Sequence, residues 1–279
     1  MGNQTALWYT VLWGSICLAR YNGGAPQRGI TEDSMRGLAI YIFGFIIGLL
    51  LLGGMAWANL EASFFDPWAS LTADAKLESM TCPLLVTPGE KVTVQATLAN
   101  PLDRPIRRLV RVHIPQRFIT LLDEEETWLD FQPGEEKRLQ WPVSTESGVY
   151  GGRFLMVSVY ASGYTPIPAQ EARCGIWVVP LPFLNGTAIL VLGNLLAVAG
   201  MVGGLWLRRG LWRPGRRANR LDSGLQVLFL LYVVGMAALL IGRWWFISAA
   251  AAAFMIVIAA TLLLRWAEDV WLREPGPQV

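Results

Sequence analysis

The sequence predicts an α-helical membrane protein with four transmembrane helices and an inserted all-β sandwich domain. Of the 279 residues, 53% are hydrophobic and only 16% are charged, whereas charged residues make up about a quarter of an ordinary globular domain. Four long stretches contain almost no charge, while residues 61–180 hold 26 of the 44 Asp, Glu, Lys and Arg residues. This charged insert is also long enough to bury a hydrophobic core of its own.

Residues 1–36 are predicted to form a cytoplasmic N-terminal segment. An apolar run at 6–19 is too short to cross a bilayer, but its apolar side chains recur at helical spacing. No basic stretch precedes the run and no convincing cleavage site ends it, which argues against a cleaved signal peptide. We therefore expect an interfacial helix that lies on the cytoplasmic leaflet.

Four nearly uncharged stretches are each long enough to span a hydrocarbon core of about 30 Å as a helix. Apolar residues surround each helix on all sides, as lipid-embedded helices require. The first transmembrane helix is predicted at 37–59 and the second at 181–207. Residues 223–242 and 243–264 are separated by the single charge of Arg243 and are predicted to form a tight helical hairpin.

Arginines near the ends of the spans predict the orientation, because cytoplasmic loops carry the excess of basic residues. Eleven arginines lie in the segments on the side of the two chain termini. On the opposite side, only Arg173 and Arg243 lie within about 15 residues of a span. We therefore predict that both termini are cytoplasmic, together with the loop at 208–222 and the tail at 265–279. Residues 60–180 are predicted to be extracytoplasmic. The predicted location is the cell membrane.

Two sets of residues are candidates for contacts within or beside the membrane. The arginines of the short loop between the second and third spans are expected to contact lipid headgroups, through the general positive-inside preference or through specific binding of anionic lipids. Glycines four residues apart let helices approach closely, so they are expected to pack against helices of this chain or of another subunit. The headgroup candidates are Arg208, Arg209, Arg213, Arg216, Arg217 and Arg220, and the packing candidates are Gly44, Gly48, Gly200 and Gly204.

The insert has the sequence pattern of short β-strands. Residues 91–98 alternate between apolar and polar side chains, which predicts one buried and one exposed face. Similar runs occur at 110–114, 137–143, 154–160 and 174–178, and Pro-Gly pairs supply turns between them. The run at 154–160 is apolar on both faces and is therefore predicted to be a central strand.

Four turn-and-strand sequences characterise the insert further: VTPGEKVTV from Val86, LANPLDRPI from Leu98, FQPGEE from Phe131 and GVYGGRF from Gly148. Over residues 82–180 this pattern resembles bacterial immunoglobulin-like modules of the CARDB and alpha-galactosidase-associated type. The resemblance implies an immunoglobulin-like sandwich of seven or eight strands, used for adhesion, spacing or partner contact and not for catalysis by itself. It does not extend to the predicted spans.

The cysteines and the single histidine limit the chemistry of the chain. Cys82 and Cys174 flank the predicted sandwich in an oxidising compartment, so we expect a disulfide between them, the alternative being two unpaired thiols. His113 cannot form a site that needs several histidines and is expected on the surface of a strand. The acidic run at 123–126 lacks the spacing of a calcium loop and is expected to be a solvated turn. No cofactor, metal ligand or catalytic residue is predicted.

The sequence therefore predicts a non-enzymatic, multi-pass membrane protein that displays its sandwich for partner binding or complex assembly, as a scaffold does. The expected partners are membrane lipids and one or more proteins that bind through the sandwich or the helices, and no nucleic acid is expected. The alternative is an accessory subunit of a membrane transport complex. Transport by this chain alone is not favoured, because the interiors of the four predicted spans contain no Asp, Glu, Lys, Arg or His.

Overall fold

The computed structural model describes residues 32–66, 71–181, 183–210, 220–241 and 244–271. Within these ranges the chain forms four long helices and a β-rich region of two sheets, which we call the β region (residues 71–181). The β region lies between the first two long helices in sequence, as predicted. The predicted interfacial helix and Arg243 lie outside the described residues.

Each of the four long helices contains a stretch that is long and apolar enough to cross a membrane. They are α1 (Glu32–Phe64), α2 (Gly186–Gly210), α3 (Arg220–Leu240) and α4 (Trp245–Trp271). With 33 residues, α1 is about 50 Å long, which exceeds the hydrocarbon thickness of about 30 Å. At least one end of α1 therefore extends beyond the hydrocarbon core of a bilayer that it crosses at an ordinary tilt.

The observed helix ends differ from the predicted ones. Helix α1 extends five residues beyond each end of the predicted span, and α4 continues seven residues into the segment predicted as a tail. Hydropathy locates only the apolar part of a helix, whereas backbone hydrogen bonding continues into charged turns. Helix α2 begins five residues later than predicted, because Asn185 caps it by accepting a hydrogen bond from the Ala188 backbone N–H at 2.7 Å.

The four glycines assigned to helix packing all lie at contacts between helices. A Cβ atom added to Gly200 of α2 would lie 2.8 Å from the Gly44 Cα of α1, and one added to Gly204 would lie 2.6 Å from the Gly37 carbonyl oxygen. One turn further along α1, a Cβ atom at Gly48 would lie 2.9 Å from the Tyr232 ring of α3. Helix α1 therefore contacts α2 backbone to backbone, because these positions lack side chains.

Two hydrogen bonds also connect the helices away from their ends. The Tyr41 hydroxyl of α1 donates to the Leu225 carbonyl oxygen of α3 at 2.6 Å. The Tyr232 hydroxyl of α3 donates to Asn194 Oδ1 of α2, also at 2.6 Å. These bonds satisfy polar groups in an apolar environment, where an unpaired group would be costly.

The described part of the β region contains eight strands in two sheets. The strands are β1 (Ala75–Lys76), β2 (Leu85–Val86), β3 (Lys91–Ala99), β4 (Ile106–Gln116), β5 (Phe118–Phe131), β6 (Glu136–Ser144), β7 (Phe154–Ala161) and β8 (Gln170–Val178). The larger sheet has the order β1-β8-β7-β4-β5, with β2 also paired to β8, and the smaller sheet pairs β3 with β6. Strands β1 and β2 run parallel to β8, whereas the other pairs are antiparallel.

The two sheets share one hydrophobic core. It includes Val94 and Trp141 from the smaller sheet and Phe131, Val157 and Ile176 from the larger one. The alternation in β3 buries every second side chain, as the sequence predicted. Strand β7 lies between β4 and β8 and is almost wholly buried, which confirms that it is a central strand.

The disulfide connects the two cysteines that flank the predicted sandwich. Cys82 and Cys174 are bonded through their Sγ atoms, with their Cα atoms 6.5 Å apart and 92 residues apart in sequence. Cys174 is part of the shared core, and Cys82 packs against it. In the chain-entropy model, a cross-link that closes a loop of this length stabilises the folded state by about 4.5 kcal/mol.

The acidic run at 123–126 is not a turn, as the sequence suggested, but lies within β5. The Arg111 side chain of β4 forms ion pairs with Glu124 and Glu126, which lie on the neighbouring strand. Cross-strand pairs of opposite charge favour strand pairing. The alternation of apolar and polar residues that predicts the other strands does not reveal β5, because acidic residues occupy consecutive positions and neither face of this acidic stretch is apolar.

Candidate functional site

The last turns of α1 pack onto the larger sheet, on the face turned away from the smaller sheet, which we call the outer face. A Cβ atom at Gly175 of β8 would overlap the Ala58 carbonyl group of α1 and lie 2.7 Å from the Asn59 backbone nitrogen. One turn earlier in α1, a Cβ atom at Gly54 would lie 2.6 Å from the Trp177 ring of β8. Gly175 thus allows the strand to meet the helix backbone directly, and Gly54 leaves room for the Trp177 ring against the helix.

Polar contacts hold the same junction along the end of α1. Arg173 of β8 donates a hydrogen bond from Nη1 to the Ser63 carbonyl oxygen at 2.6 Å, and its guanidinium also pairs with Glu171. The Tyr150 hydroxyl donates to Glu61 Oε2 at 3.0 Å. Loss of hydration and this hydrogen bond raise the pKa of the Tyr150 phenol above its ordinary value. The contacts attach the β region to α1 at several points.

His113 is not the surface residue that the strand pattern suggested. It does face outward from β4, but Asp66, two residues beyond the end of α1, lies against it, and its side chain is only 12% exposed. His113 Nδ1 lies 2.7 Å from Asp66 Oδ2, and Nε2 lies 3.2 Å from Glu124 Oε1 without the geometry of a hydrogen bond. Contact with His113 is the main reason that the pKa of the Glu124 carboxyl is lowered.

Ser158 lies directly opposite His113 on the neighbouring strand β7. Its side chain is buried, and Oγ has no hydrogen-bond partner within the described ranges. A serine beside a histidine that contacts an aspartate is chemically suggestive, since a histidine oriented in this way can act as a base. Because Ser158 is closed off from solvent, however, its hydroxyl is not positioned to meet a substrate.

A large cleft opens beside this junction. It has a volume of about 680 Å³, and we call it the junction cleft. One wall is apolar and includes Leu239 and Leu240 at the end of α3 and Trp245 at the start of α4. The facing wall carries the charged side chains of Asp74, Lys76, Glu78, Glu171 and Arg173, from β1, its flanks and β8. The Cys82–Cys174 disulfide also lines the cleft. None of the charged residues is recognisable as part of a site from the sequence alone.

Strand β5 forms a free edge of the larger sheet. It pairs with β4 on one side and has no strand partner on the other within the described ranges. Its large apolar side chains Phe118, Leu121, Leu122 and Trp128 are exposed, and in the described strands such exposure occurs only in β5. The Arg107 guanidinium stacks on Trp128 with 5.2 Å between its Cζ atom and the ring centroid. This edge combines open backbone groups, exposed apolar side chains and carboxylates.

The arginines assigned to lipid headgroups are only partly described. Arg208 differs from the expectation, because its side chain turns into the helix bundle and pairs with Asp222 of α3 at 2.8 Å. Both side chains are mostly buried, so neither is directed at lipid. The described residues include neither the side chains of Arg209 and Arg220 nor any part of Arg213, Arg216 and Arg217. The sequence does not indicate Asp222 as the partner of Arg208, because Asp222 immediately precedes the predicted third span.

The titratable groups of the described chain do not suggest a metal centre. Within the ranges covered, no three His, Cys, Asp or Glu side chains are arranged to hold a metal ion. Arg108 is the most deeply buried charged side chain, and its loss of hydration lowers its pKa. Its Nε atom donates to the Ser162 carbonyl oxygen at 2.8 Å, so it links β4 to the end of β7. This arginine supports the sheet and does not face the junction cleft.

Comparisons with known proteins do not assign the chain to a family. No protein-family model matches it, and no curated protein matches it. Similar solved structures include Bacteroides uniformis β-glucuronidase 2 (14% identity, TM-score 0.25), a Paenibacillus sp. cycloisomaltooligosaccharide glucanotransferase (14%, 0.29) and a Listeria innocua β-glucosidase (15%, 0.25). These matches cover 35%, 38% and 36% of this chain, respectively, and only 12%, 14% and 16% of those proteins. At such TM-scores the likeness assigns neither a fold family nor an activity.

Proposed function

We propose that this chain is a multi-pass membrane protein that holds an extracytoplasmic, immunoglobulin-like sandwich against the membrane and uses it to bind a protein partner, without enzymatic activity. Four helices of suitable length and hydropathy support membrane insertion. The distribution of arginines supports cytoplasmic termini. The contacts between α1 and β8 support a β region that is held in place and does not swing on a linker.

The observation that carries the partner-binding proposal is the free edge of β5. An edge strand offers unpaired backbone N–H and C=O groups to another extended chain, and proteins that do not use an edge usually shorten or cover it. Strand β5 has 14 residues, which makes it the longest strand described. Exposed apolar side chains such as Leu121 and Trp128 are also unusual on an edge that has no partner.

Charge complementarity defines the chemistry of the proposed partner. Arg111 forms ion pairs with Glu124 and Glu126 on the outer face of β5. Asp123 and Glu125 point to the opposite face and form no ion pair in the described chain. We therefore propose that the occupant is an extended protein segment with basic residues at alternate positions, which would place its cations beside these two carboxylates.

The docking proposal predicts selective binding of a basic extended peptide. The probe is a labelled peptide of alternating lysine and valine, titrated against the full-length protein in nanodiscs and followed by fluorescence anisotropy. The double substitution Asp123→Lys and Glu125→Lys should weaken binding at least tenfold. The control Glu136→Lys alters an exposed acid on β6 of the other sheet and should leave the affinity within twofold.

Two further peptides separate strand pairing from simple charge attraction. A peptide with proline in place of every valine keeps the charge but lacks the backbone donor at every second position, and proline is poorly tolerated in paired strands, so it should bind at least tenfold more weakly. A glutamate-valine peptide should not bind. Equal binding of the proline peptide, or equal affinities for the β5 variant and the β6 control, would refute docking at this edge.

The proposed orientation predicts which introduced cysteines are accessible from outside. In a background lacking Cys17, a cysteine at Ser147 in the β region should react with an impermeant maleimide in intact spheroplasts. A cysteine at Ala218, in the loop predicted to be cytoplasmic, should react only after the membrane is permeabilised. The opposite labelling pattern would reverse the orientation, and labelling of both sites from outside would contradict the four-span arrangement.

A further inference from the structure

We propose that the junction cleft binds a phospholipid whose headgroup carries a primary ammonium, taken from the leaflet on the side of the β region. This inference rests on the proposal that the four helices cross a membrane. It concerns a different surface from the β5 edge, because the cleft is lined by β1, β8 and the ends of the helices.

The apolar wall lies where the helices leave the proposed bilayer. Leu239 and Leu240 are the last residues of α3, and Trp245 is the first residue of α4. Tryptophan is enriched at the headgroup level of membrane proteins. Asn59 and Ser63, which line the same cleft, lie in the last turns of α1. A lipid in the adjacent leaflet would therefore have its headgroup level with the charged wall and its first acyl carbons against the leucines.

The charged wall matches a zwitterion better than an anion. Among the described residues it contains two cations, Lys76 and Arg173, and three carboxylates, those of Asp74, Glu78 and Glu171. Arg173 already pairs with Glu171, so Lys76 is the cation that can contact a phosphate, and the remaining carboxylates, those of Asp74 and Glu78, disfavour a ligand that carries only negative charge. The register of β1 and β8 places Lys76 directly opposite Glu171, so positive and negative groups are neighbours along the wall. A headgroup with a phosphate and an ammonium contacts both kinds of side chain.

The aromatic content of the wall favours a primary over a quaternary ammonium. Quaternary ammonium groups donate no hydrogen bonds and are usually bound in cages of several aromatic rings. Trp245 is the single aromatic side chain among the described residues that line the cleft. A primary ammonium donates three hydrogen bonds, which carboxylates accept well. The volume of about 680 Å³ also falls within the range of small-ligand pockets, about 300–1,000 Å³.

Native mass spectrometry of the full-length protein in mild detergent tests the proposal. Phosphatidylethanolamine, phosphatidylcholine and phosphatidylglycerol are titrated separately into delipidated protein. We expect one phosphatidylethanolamine to bind at least tenfold more tightly than either of the other lipids. Lys76→Glu should reduce this preference at least fivefold, because it places a further carboxylate beside the phosphate. Lys91→Glu changes an exposed lysine on β3 outside the cleft and should have no effect.

A second variant guards against an indirect effect of charge reversal on folding. Glu78→Gln keeps the size of an exposed side chain and should weaken phosphatidylethanolamine while improving phosphatidylglycerol relative to wild type. Tighter binding of phosphatidylglycerol by the wild type would show an anionic-lipid site and overturn the proposal. Equal affinities for all three lipids, or equal losses in Lys76→Glu and Lys91→Glu, would do the same. Failure of peptide binding at β5 leaves these measurements unaffected, so the two proposals fail separately.

Discussion

Gly175→Ala is expected to separate α1 from the larger sheet and to destabilise the protein by about 3 kcal/mol or more. Overpacking a core typically costs about 1–3 kcal/mol, and the higher figure applies where the obstacle is backbone and cannot rotate away. The added methyl group would overlap the Ala58 carbonyl group and lie 2.7 Å from the Asn59 nitrogen. These backbone atoms cannot move without shifting α1, which also carries the contacts to Arg173 and Tyr150.

The expected result is measured as thermal unfolding in detergent, together with limited proteolysis of the β region. Gly175→Ala should lower the melting temperature and expose new cleavage sites near the end of α1. Gly53→Ala is the matched control, because a Cβ atom there has no neighbour within 4 Å. Alanine favours helices over glycine by about 0.8–1.0 kcal/mol, so the control should be neutral or stabilising. Equal melting temperatures for Gly175→Ala and wild type would show that α1 does not press on β8.

The long helices could be predicted from the sequence because their signal is local. Residues 37–59 are apolar on every side, so the helix can be predicted from these residues alone, without knowing what they contact in the folded protein. The extension of α1 to Phe64 was not predictable in the same way. Its last turns contain Glu61 and Ser63, which resemble a polar linker in sequence. They remain helical because they pack on a sheet whose position depends on residues more than a hundred positions away.

The candidate sites were less predictable than the fold, because they depend on contacts between distant segments. The alternation in β4 placed His113 on the outward face correctly, but nothing local indicates that Asp66 lies against this side chain. The acidic stretch of β5 has no apolar face, so its strand structure follows only from pairing with Arg111 and its neighbours. The junction cleft requires α3, α4, β1 and β8 together, and no single segment carries its pattern.

The close contact between α1 and α2, in contrast, can be recognised from a short sequence pattern. Small residues four positions apart identified Gly44 and Gly200 from sequence, and in the structure each faces the backbone of the other helix. Lipid-exposed helices gain little hydrophobic energy from association, so close packing of this kind carries more of the stability than it would in water. Adding a side chain at this contact should therefore destabilise the helix bundle strongly.

Gly200→Ala is therefore expected to weaken the contact between α1 and α2 and to destabilise the helix bundle by about 2–3 kcal/mol. Its methyl group would lie 2.8 Å from the Gly44 Cα and 3.2 Å from the Ile40 carbonyl oxygen, and both obstacles are backbone atoms.

Gly203→Ala provides the matched control on the same helix, because a Cβ atom there meets nothing within 4 Å. Unfolding in mixed micelles of increasing dodecyl sulfate content measures both variants. Gly200→Ala should unfold at a lower dodecyl sulfate fraction than wild type, whereas Gly203→Ala should unfold at the same or a higher one. If both alanines shifted the transition equally, the loss would reflect a general effect of substitution in α2, and the backbone contact at Gly44 would not be what holds the two helices together.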